Sequence, residues 1–213
     1  MEELLVQNAS AVFALIGGVF GAVIAGLFGF YGKSRETKLK LAEKIVDKKL
    51  EAHEQIINLA NLMRGMRVVD GVHDGKELLR YPAFLENRAA FDSFWLQLTQ
   101  AQSKSDRWLS AELRRELSFC NDYLVTLYKW TEQVSDIGLP RLGVAIRDDI
   151  IDISSRIEDS AHDFINNDVV KLNFKTDRRW HKFKPEKTEK MFEETILIKR
   201  QSELQDIVDG KIR

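Results

Sequence analysis

Residues 9–32 read ASAVFALIGGVFGAVIAGLFGFYG, and this stretch decides the architecture of the chain. It contains six of the twelve glycines and no charged side chain. As an α-helix its most apolar part, residues 9–31, would be about 35 Å long, and the hydrocarbon core of a membrane is about 30 Å thick. We therefore predict a transmembrane helix over residues 9–31, preceded by a short external tail over residues 1–8.

Charges on the two sides of this span predict its orientation. Only Glu2 and Glu3 precede it, whereas seven lysines and arginines and three acidic residues lie within residues 33–49. Lysine and arginine resist translocation, so the basic side stays inside. The sequence predicts a single-pass protein of the inner (cytoplasmic) membrane, with its N-terminus outside and residues 32–213 in the cytoplasm. The acidic start disfavours a cleaved signal peptide, which begins with basic residues.

Small residues line one side of the predicted span. At a spacing of four they form two adjacent ribbons, whereas Phe13, Phe20 and Phe28 fall largely elsewhere on the helix. In lipid, helices associate through close backbone approach, which small residues permit. We predict that this face packs against a second copy of the chain or against the span of another protein. Its residues are Ala14, Gly17, Gly18, Gly21, Ala22, Ala25, Gly26 and Gly29.

Beyond the span, hydrophobic spacing predicts an all-α protein, with a long stalk helix and a bundle of four further helices. The stalk is expected to end in a break at VVDGVHDGKELLRYP, which contains glycines and Pro82. Further helices are expected at about residues 83–102, 106–137, 140–170 and 185–210, with Gly138 ending the second of them. Two stripes should form the core: Leu113, Leu117, Cys120, Leu124 and Leu127, and Ile146, Ile150, Ile153, Ile157, Ala161 and Phe164.

The stretch DKKLEAHEQIINLANLM, residues 47–63, resembles the helix that follows the anchor in uncharacterised bacterial membrane-anchored proteins. Those proteins often carry a basic residue, then Leu-Glu-Ala-Tyr-Glu, then an apolar helix. Here Lys49, Leu50, Glu51, Ala52 and Glu54 match, and His53 replaces the tyrosine. The resemblance implies a membrane-proximal helix in a bacterial protein and no particular activity.

The residues that could carry catalysis do not form a familiar site. His53, the pair His73-Asp74 and Asp163 can be arranged like the metal ligands of HD phosphohydrolases, but here the pair lies in an expected turn and not on a helix. The sequence contains no phosphate-binding glycine loop, nucleophile elbow or zinc spacing. We predict no enzymatic activity, no cofactor and no metal.

Two further groups are expected to have structural roles. Cys120 lies on a core stripe, so we expect a buried thiol and not a nucleophile. Asp149, Asp152, Asp159 and Asp163 lie on one side of the helix expected over residues 140–170, where we expect a solvated acidic face.

The segment from residue 171 to residue 190 is basic, with eight lysines and arginines against three acidic residues and with aromatic residues between them. Three interpretations stay open: a loop whose aromatics fill the core, a segment that docks on anionic lipid headgroups, and a nucleic-acid contact. The net charge of −1 gives no overall attraction to nucleic acid or to membranes, and nucleic acid is the least favoured of the three interpretations. The residues that would contact lipid are Lys171, Lys175, Arg178, Arg179, Trp180, Lys182 and Lys184.

Together these patterns predict a bitopic membrane protein that self-associates through the small-residue face of its span. One expected role is a membrane-disrupting effector in bacterial phage defence or a toxin system. The alternative is a non-enzymatic scaffold or sensor that binds a cytoplasmic partner at the membrane.

Overall fold

A computed structural model of the chain describes residues 2–74, 77–166 and 182–211. In residues 2–34, 70–74 and 77–78 it describes the backbone alone, except at Gly18, Gly21 and Lys33. The chain divides into two compact units, Met1–Asp47 and Lys48–Arg213. Helix α1, Glu2–Met63, contributes residues to both units.

The predicted span falls within α1. Its side chains lie outside the described residues, apart from the glycine positions 18 and 21. Over the part of the chain that the structure describes, no helix has the length and the hydropathy that crossing a membrane requires.

The second unit combines the end of α1 with a β-hairpin and shorter helices. The hairpin pairs β1, Met66–Asp74, antiparallel with β2, Glu77–Pro82, and its register is irregular between Val68 and His73. A 3-10 turn follows at Ala83–Leu85, and another occupies Asp106–Trp108. The helices are α2, Arg88–Ser105; α3, Ala111–Thr131; α4, Leu139–Ala145; α5, Arg147–Phe164; α6, Pro185–Glu193; α7, Ile196–Lys199; and α8, Gln201–Val208.

The core of the second unit forms where the apolar spacing places it. Every residue of the two predicted stripes is buried, with an exposed fraction of 4% or less. Helix α1 adds Ile56, Ala60 and Met63 to this core, and α2 adds Phe91 and Leu98. The predicted helical class is therefore confirmed for the bulk of the described chain.

The break predicted after the stalk is a β-hairpin, which the all-α prediction did not include. It is held against α4, where Gly143 lets β2 and the following 3-10 turn approach closely. A Cβ atom on Gly143 would lie 3.0 Å from the Cβ of Tyr81 and 3.3 Å from that of Leu85. Only a residue without a side chain fits there without a shift of its neighbours.

The predicted helix boundaries need three corrections. Helix α3 ends at Thr131, and Gly138 precedes α4 instead of ending α3. The helix predicted over residues 140–170 is interrupted at Ile146, where φ is −102° and ψ is 9°; the end of that range lies outside the described residues. The last predicted helix is divided into α6, α7 and α8. Extended backbone at Thr195 separates α6 from α7, and a non-helical φ of −114° and ψ of 30° at Arg200 separates α7 from α8.

The residues predicted to mark the start of two helices and the end of a third are confirmed. Pro140 and Pro185 lie in the first turns of α4 and α6, where the missing amide hydrogen costs nothing. Gly210 adopts a φ of +67° directly after α8, a conformation that glycine reaches without strain.

Candidate functional site

The apolar side of α1 has a different environment in each unit. In the second unit it is buried at Ala52, Ile56, Leu59, Ala60 and Met63. In the first unit Leu39 and Leu41 are 64% and 59% exposed, and Ala42, Ile45 and Val46 are half-buried. These residues form two neighbouring, partly exposed apolar stripes, Leu39, Ala42 and Val46 and beside them Leu41 and Ile45, and such a surface is a candidate for association.

The predicted small-residue face lies on the same helix. Gly18 and Gly21 are exposed, and a Cβ atom built on either meets no other group within 4 Å. Within one chain, a larger side chain would therefore find room at both positions. The other members of the face, at positions 14, 17, 22, 25, 26 and 29, lie outside the residues whose side chains are described.

The predicted lipid-contacting segment is described only at its end. Lys182 and Lys184 are exposed, whereas Phe183 between them is half-buried and packs against the core. The ammonium group of Lys187 lies 3.9 Å from the centre of the Phe183 ring. Phe183 thus fits the core-filling interpretation, and the two lysines are accessible. Lys171, Lys175, Arg178, Arg179 and Trp180 lie outside the described residues.

His53 is a buried, neutral histidine. Its Nδ1 lies 2.7 Å from the carbonyl oxygen of Lys49, which can only accept, so Nδ1 carries the proton. Its Nε2 accepts a hydrogen bond from the amide of Ser110 at 3.3 Å. The ring stacks on Phe164 with a centroid separation of 3.9 Å. Burial lowers the pKa of His53 to about 4.

These contacts leave no nitrogen of His53 for a metal. The pair His73-Asp74 lies on β1 and not on a helix. Asp163 is exposed. Among the described residues, no group of three or more histidine, cysteine or acidic side chains is placed to hold a metal ion.

Asp149 is buried, which corrects the prediction of a solvated acidic face. Its carboxylate accepts hydrogen bonds from the Tyr123 hydroxyl at 2.9 Å and from the amides of Ile196 and Leu197 at 2.8 and 3.0 Å. Burial and the adjacent carboxylate raise the pKa of Tyr123 well above its usual range. Asp149 thus joins α3, α5 and α7. The other three acids, Asp152, Asp159 and Asp163, are exposed as predicted.

Cys120 belongs to the core, and a partly buried ion pair lies near it. Cys120 is fully buried, so the predicted burial of this thiol is confirmed, and desolvation raises its pKa to about 12. Nearby, the guanidinium Nε of Arg156 lies 3.3 Å from Glu116 Oε2. The same guanidinium lies over the ring of Phe119, 4.9 Å from its centre. Burial raises the pKa of Glu116. The guanidinium of Arg156 thus offsets the charge of a half-buried carboxylate.

A groove between α1 and α2 was not predicted from the sequence. It has a volume of about 400 Å³ and is open to solvent. Leu59 and the 56% exposed Leu62 contribute its apolar part. Paired amide residues at a spacing of three on the two helices are the signal that could have revealed it: Gln55 and Asn58 on α1, and Gln97 and Gln100 on α2.

No protein-family model, curated protein or solved structure matches this chain. The resemblance of residues 47–63 to a juxtamembrane helix stays a prediction. In the structure these residues belong to α1, and their apolar side is buried in the second unit.

Proposed function

We propose that the chain is a bitopic inner-membrane protein that self-associates through the small-residue face of residues 9–31. The observation that carries this proposal is the uncharged run from residue 4 to residue 32 with its two glycine and alanine ribbons. The exposed positions Gly18 and Gly21, which meet nothing within their own chain, support it. The external N-terminus and the cytoplasmic second unit follow from the basic residues after the span.

The role we favour is that of a membrane-disrupting effector in bacterial defence or a toxin system. Flat helix faces allow many spans to pack closely, and in this role the assembled copies breach the bilayer when triggered. The span has no ionisable residue, so it lacks the groups with which pumps and coupled transporters move protons or ions. In the second unit His53 and Asp149 have hydrogen-bond partners and Cys120 is buried in the apolar core, which agrees with a role that does not depend on catalysis.

The alternative role, a membrane-anchored scaffold or sensor, is favoured by one observation. The groove between α1 and α2 has a rim of amides and an exposed leucine, Leu62, and such a surface suits a protein partner. In this role the span only anchors the chain, and the groove binds the cytoplasmic partner.

Membrane lipid is a second proposed contact. The exposed Lys182 and Lys184 belong to the basic segment from residue 171 to residue 190, whose charge suits an anionic leaflet. Nucleic acid is not proposed as a partner.

We expect Gly21→Ile and Gly18→Ile to abolish self-association in membranes. Each variant keeps the span apolar, so insertion survives, but the added side chain holds neighbouring backbones apart. Crosslinking in native membranes measures the result. Phe20→Leu, on the bulky side of the span, is the matched control and should crosslink like the wild type.

The same variants separate the two roles. An effector causes dye leakage and growth arrest on overexpression, and both glycine variants abolish these effects. A scaffold causes no leakage even as the wild type. Oligomers that persist unchanged in both variants would contradict self-association through this face.

Membrane orientation gives a separate prediction. In a Cys120→Ala background, Glu3→Cys should react with a membrane-impermeant maleimide in intact cells. Arg213→Cys should react only after the cells are permeabilised. The opposite labelling pattern, or labelling of both positions in intact cells, would contradict the proposed N-out orientation.

A further inference from the structure

Three apolar residues in the part of α1 that belongs to the first unit follow the spacing of a coiled coil. Leu39, Ala42 and Val46 are three and then four residues apart, which makes them heptad positions a, d and a. Leu39 is mostly exposed, and Ala42 and Val46 are half-buried. In a coiled coil, residues at these positions pack between the helices, so this stripe is suited to another helix.

The charges beside the stripe indicate what that helix is. In this register Lys38 is at position g and Glu43 is at the following position e. In a parallel, in-register pair of identical helices, each g residue faces the next e residue of the other copy. Lys38 of one copy would therefore face Glu43 of the other, and the two-fold symmetry gives this ion pair twice. Both side chains are exposed and accessible to a second chain.

We propose that residues 37–47 of α1 form a parallel, in-register coiled coil with a second copy of this chain. The proposal rests on the proposed function, because two copies anchored by the same span leave the membrane in the same direction. That common direction makes the helices parallel.

The other apolar stripe of this segment is less suited to a parallel pair. A register with Leu41 at d and Ile45 at a places Lys44 at g opposite Lys49 at e of the second copy. Like charges at these positions repel, and the resulting pair is destabilised. The charges therefore select the stripe of Leu39, Ala42 and Val46.

The same heptad register continues toward the N-terminus of α1. Counting back from Leu39 places Gly18, Gly21 and Ala25 at a, d and a, all members of the small-residue face. Gly32 at a and the bulky Phe28 at d, which are not members of that face, lie between them and Arg35. In a coiled coil the two helices wind around each other, with about 3.5 residues per turn relative to the partner helix. Positions a and d therefore stay in the contact line between the helices, here called the seam. Arg35 falls at an intervening d position, where its long, exposed side chain can extend out of the seam to water or headgroups.

Disulfide crosslinking of the full-length chain in native membranes tests the proposal, in a Cys120→Ala background. Leu39→Cys lies on the seam, so mild oxidation should yield covalent dimers. Lys40→Cys, one position along and pointing away from the seam, is the control and should yield several-fold fewer. Equal yields at the two positions would overturn the proposed register.

Charge exchange tests the parallel arrangement. With Leu39→Cys as reporter, Lys38→Glu and Glu43→Lys should each reduce the dimer yield, since each places like charges opposite one another. The double exchange should restore it, and a double exchange that stays as low as either single variant would overturn the pairing.

Failure of the coiled coil can be distinguished from failure of the proposed function. If Leu39→Cys forms no dimers while oligomers sensitive to Gly21→Ile persist, the coiled coil is wrong and association through the span stands. If the wild type forms no oligomers at all, both proposals fail.

Discussion

Asp149→Ala will lower the free energy of unfolding by at least about 3 kcal/mol, because three donors lose their acceptor and each loss costs about 1–3 kcal/mol. The carboxylate is buried and accepts hydrogen bonds from the Tyr123 hydroxyl and from the amides of Ile196 and Leu197. Alanine removes all three bonds at once and leaves a cavity between α3, α5 and α7. At about 2–4 °C per kcal/mol for a chain of this size, the melting temperature should fall by roughly 10 °C.

A thermal melt of the purified full-length chain in detergent, followed by circular dichroism, measures this loss. Asp152→Ala is the matched control on the same helix. Asp152 is exposed, and its contact with Arg156 at 3.1 Å is a surface ion pair worth about 0–1 kcal/mol. Hydrogen exchange adds a local readout, since the amides of Ile196 and Leu197 should lose protection in the Asp149 variant alone. Equal melting temperatures for the two variants would show that Asp149 does not hold α7 in place.

The core stripes could be predicted from the sequence because each stripe follows a single helix period. On α3 and α5 the apolar residues recur every three or four positions, and burial of that side is the dominant stabilising term of a helical bundle. Tertiary packing did not override this pattern, so every predicted stripe residue is buried.

The hairpin and the interruption at Ile146 could not be predicted by the same reasoning. A strand of Met66–Asp74 with a glycine inside it has a weak period-two pattern, and its place depends on close contact with α4. That contact requires Gly143, whose effect appears only when Tyr81 and Leu85 are brought beside it. The apolar spacing continues without a break across Ile146. The sequence pattern therefore gives no sign that the backbone angles of Ile146 depart from those of a helix.

The burial of Asp149 and His53 could in part have been predicted from the sequence. Asp149 lies three residues after Ile146 and four before Ile153, which places it on the apolar side of α5 and not only on the acidic side. His53 lies three residues before Ile56 and seven before Ala60, on the buried stripe of α1. Which donors and acceptors would satisfy them depends on contacts between distant segments, with Ile196 and Ser110, and no local pattern reports those.

Lowering the pH from 6.5 to 4 should remove about 3 kcal/mol from the free energy of unfolding through His53 alone, at about 1.36 kcal/mol per pKa unit. In the folded chain burial lowers the pKa of His53 from 6.5 to about 4. Between these two values the unfolded chain binds one proton that the folded chain does not, so the free energy of unfolding rises with pH. The full stability is present above pH 6.5 and is lost progressively as the pH falls toward 4.

Urea unfolding of the full-length chain in detergent at a series of pH values isolates this contribution when variants are compared. His53→Gln retains a hydrogen-bond donor and an acceptor but does not titrate. It will be less stable than the wild type at pH 7, because the stack on Phe164 is lost, and its stability will fall less steeply between pH 6.5 and 4. The difference in slope should approach one proton, about 1.36 kcal/mol per pH unit. A His53→Gln slope equal to that of the wild type would show that His53 binds its proton equally well in the folded and the unfolded chain, and would contradict a buried, neutral imidazole.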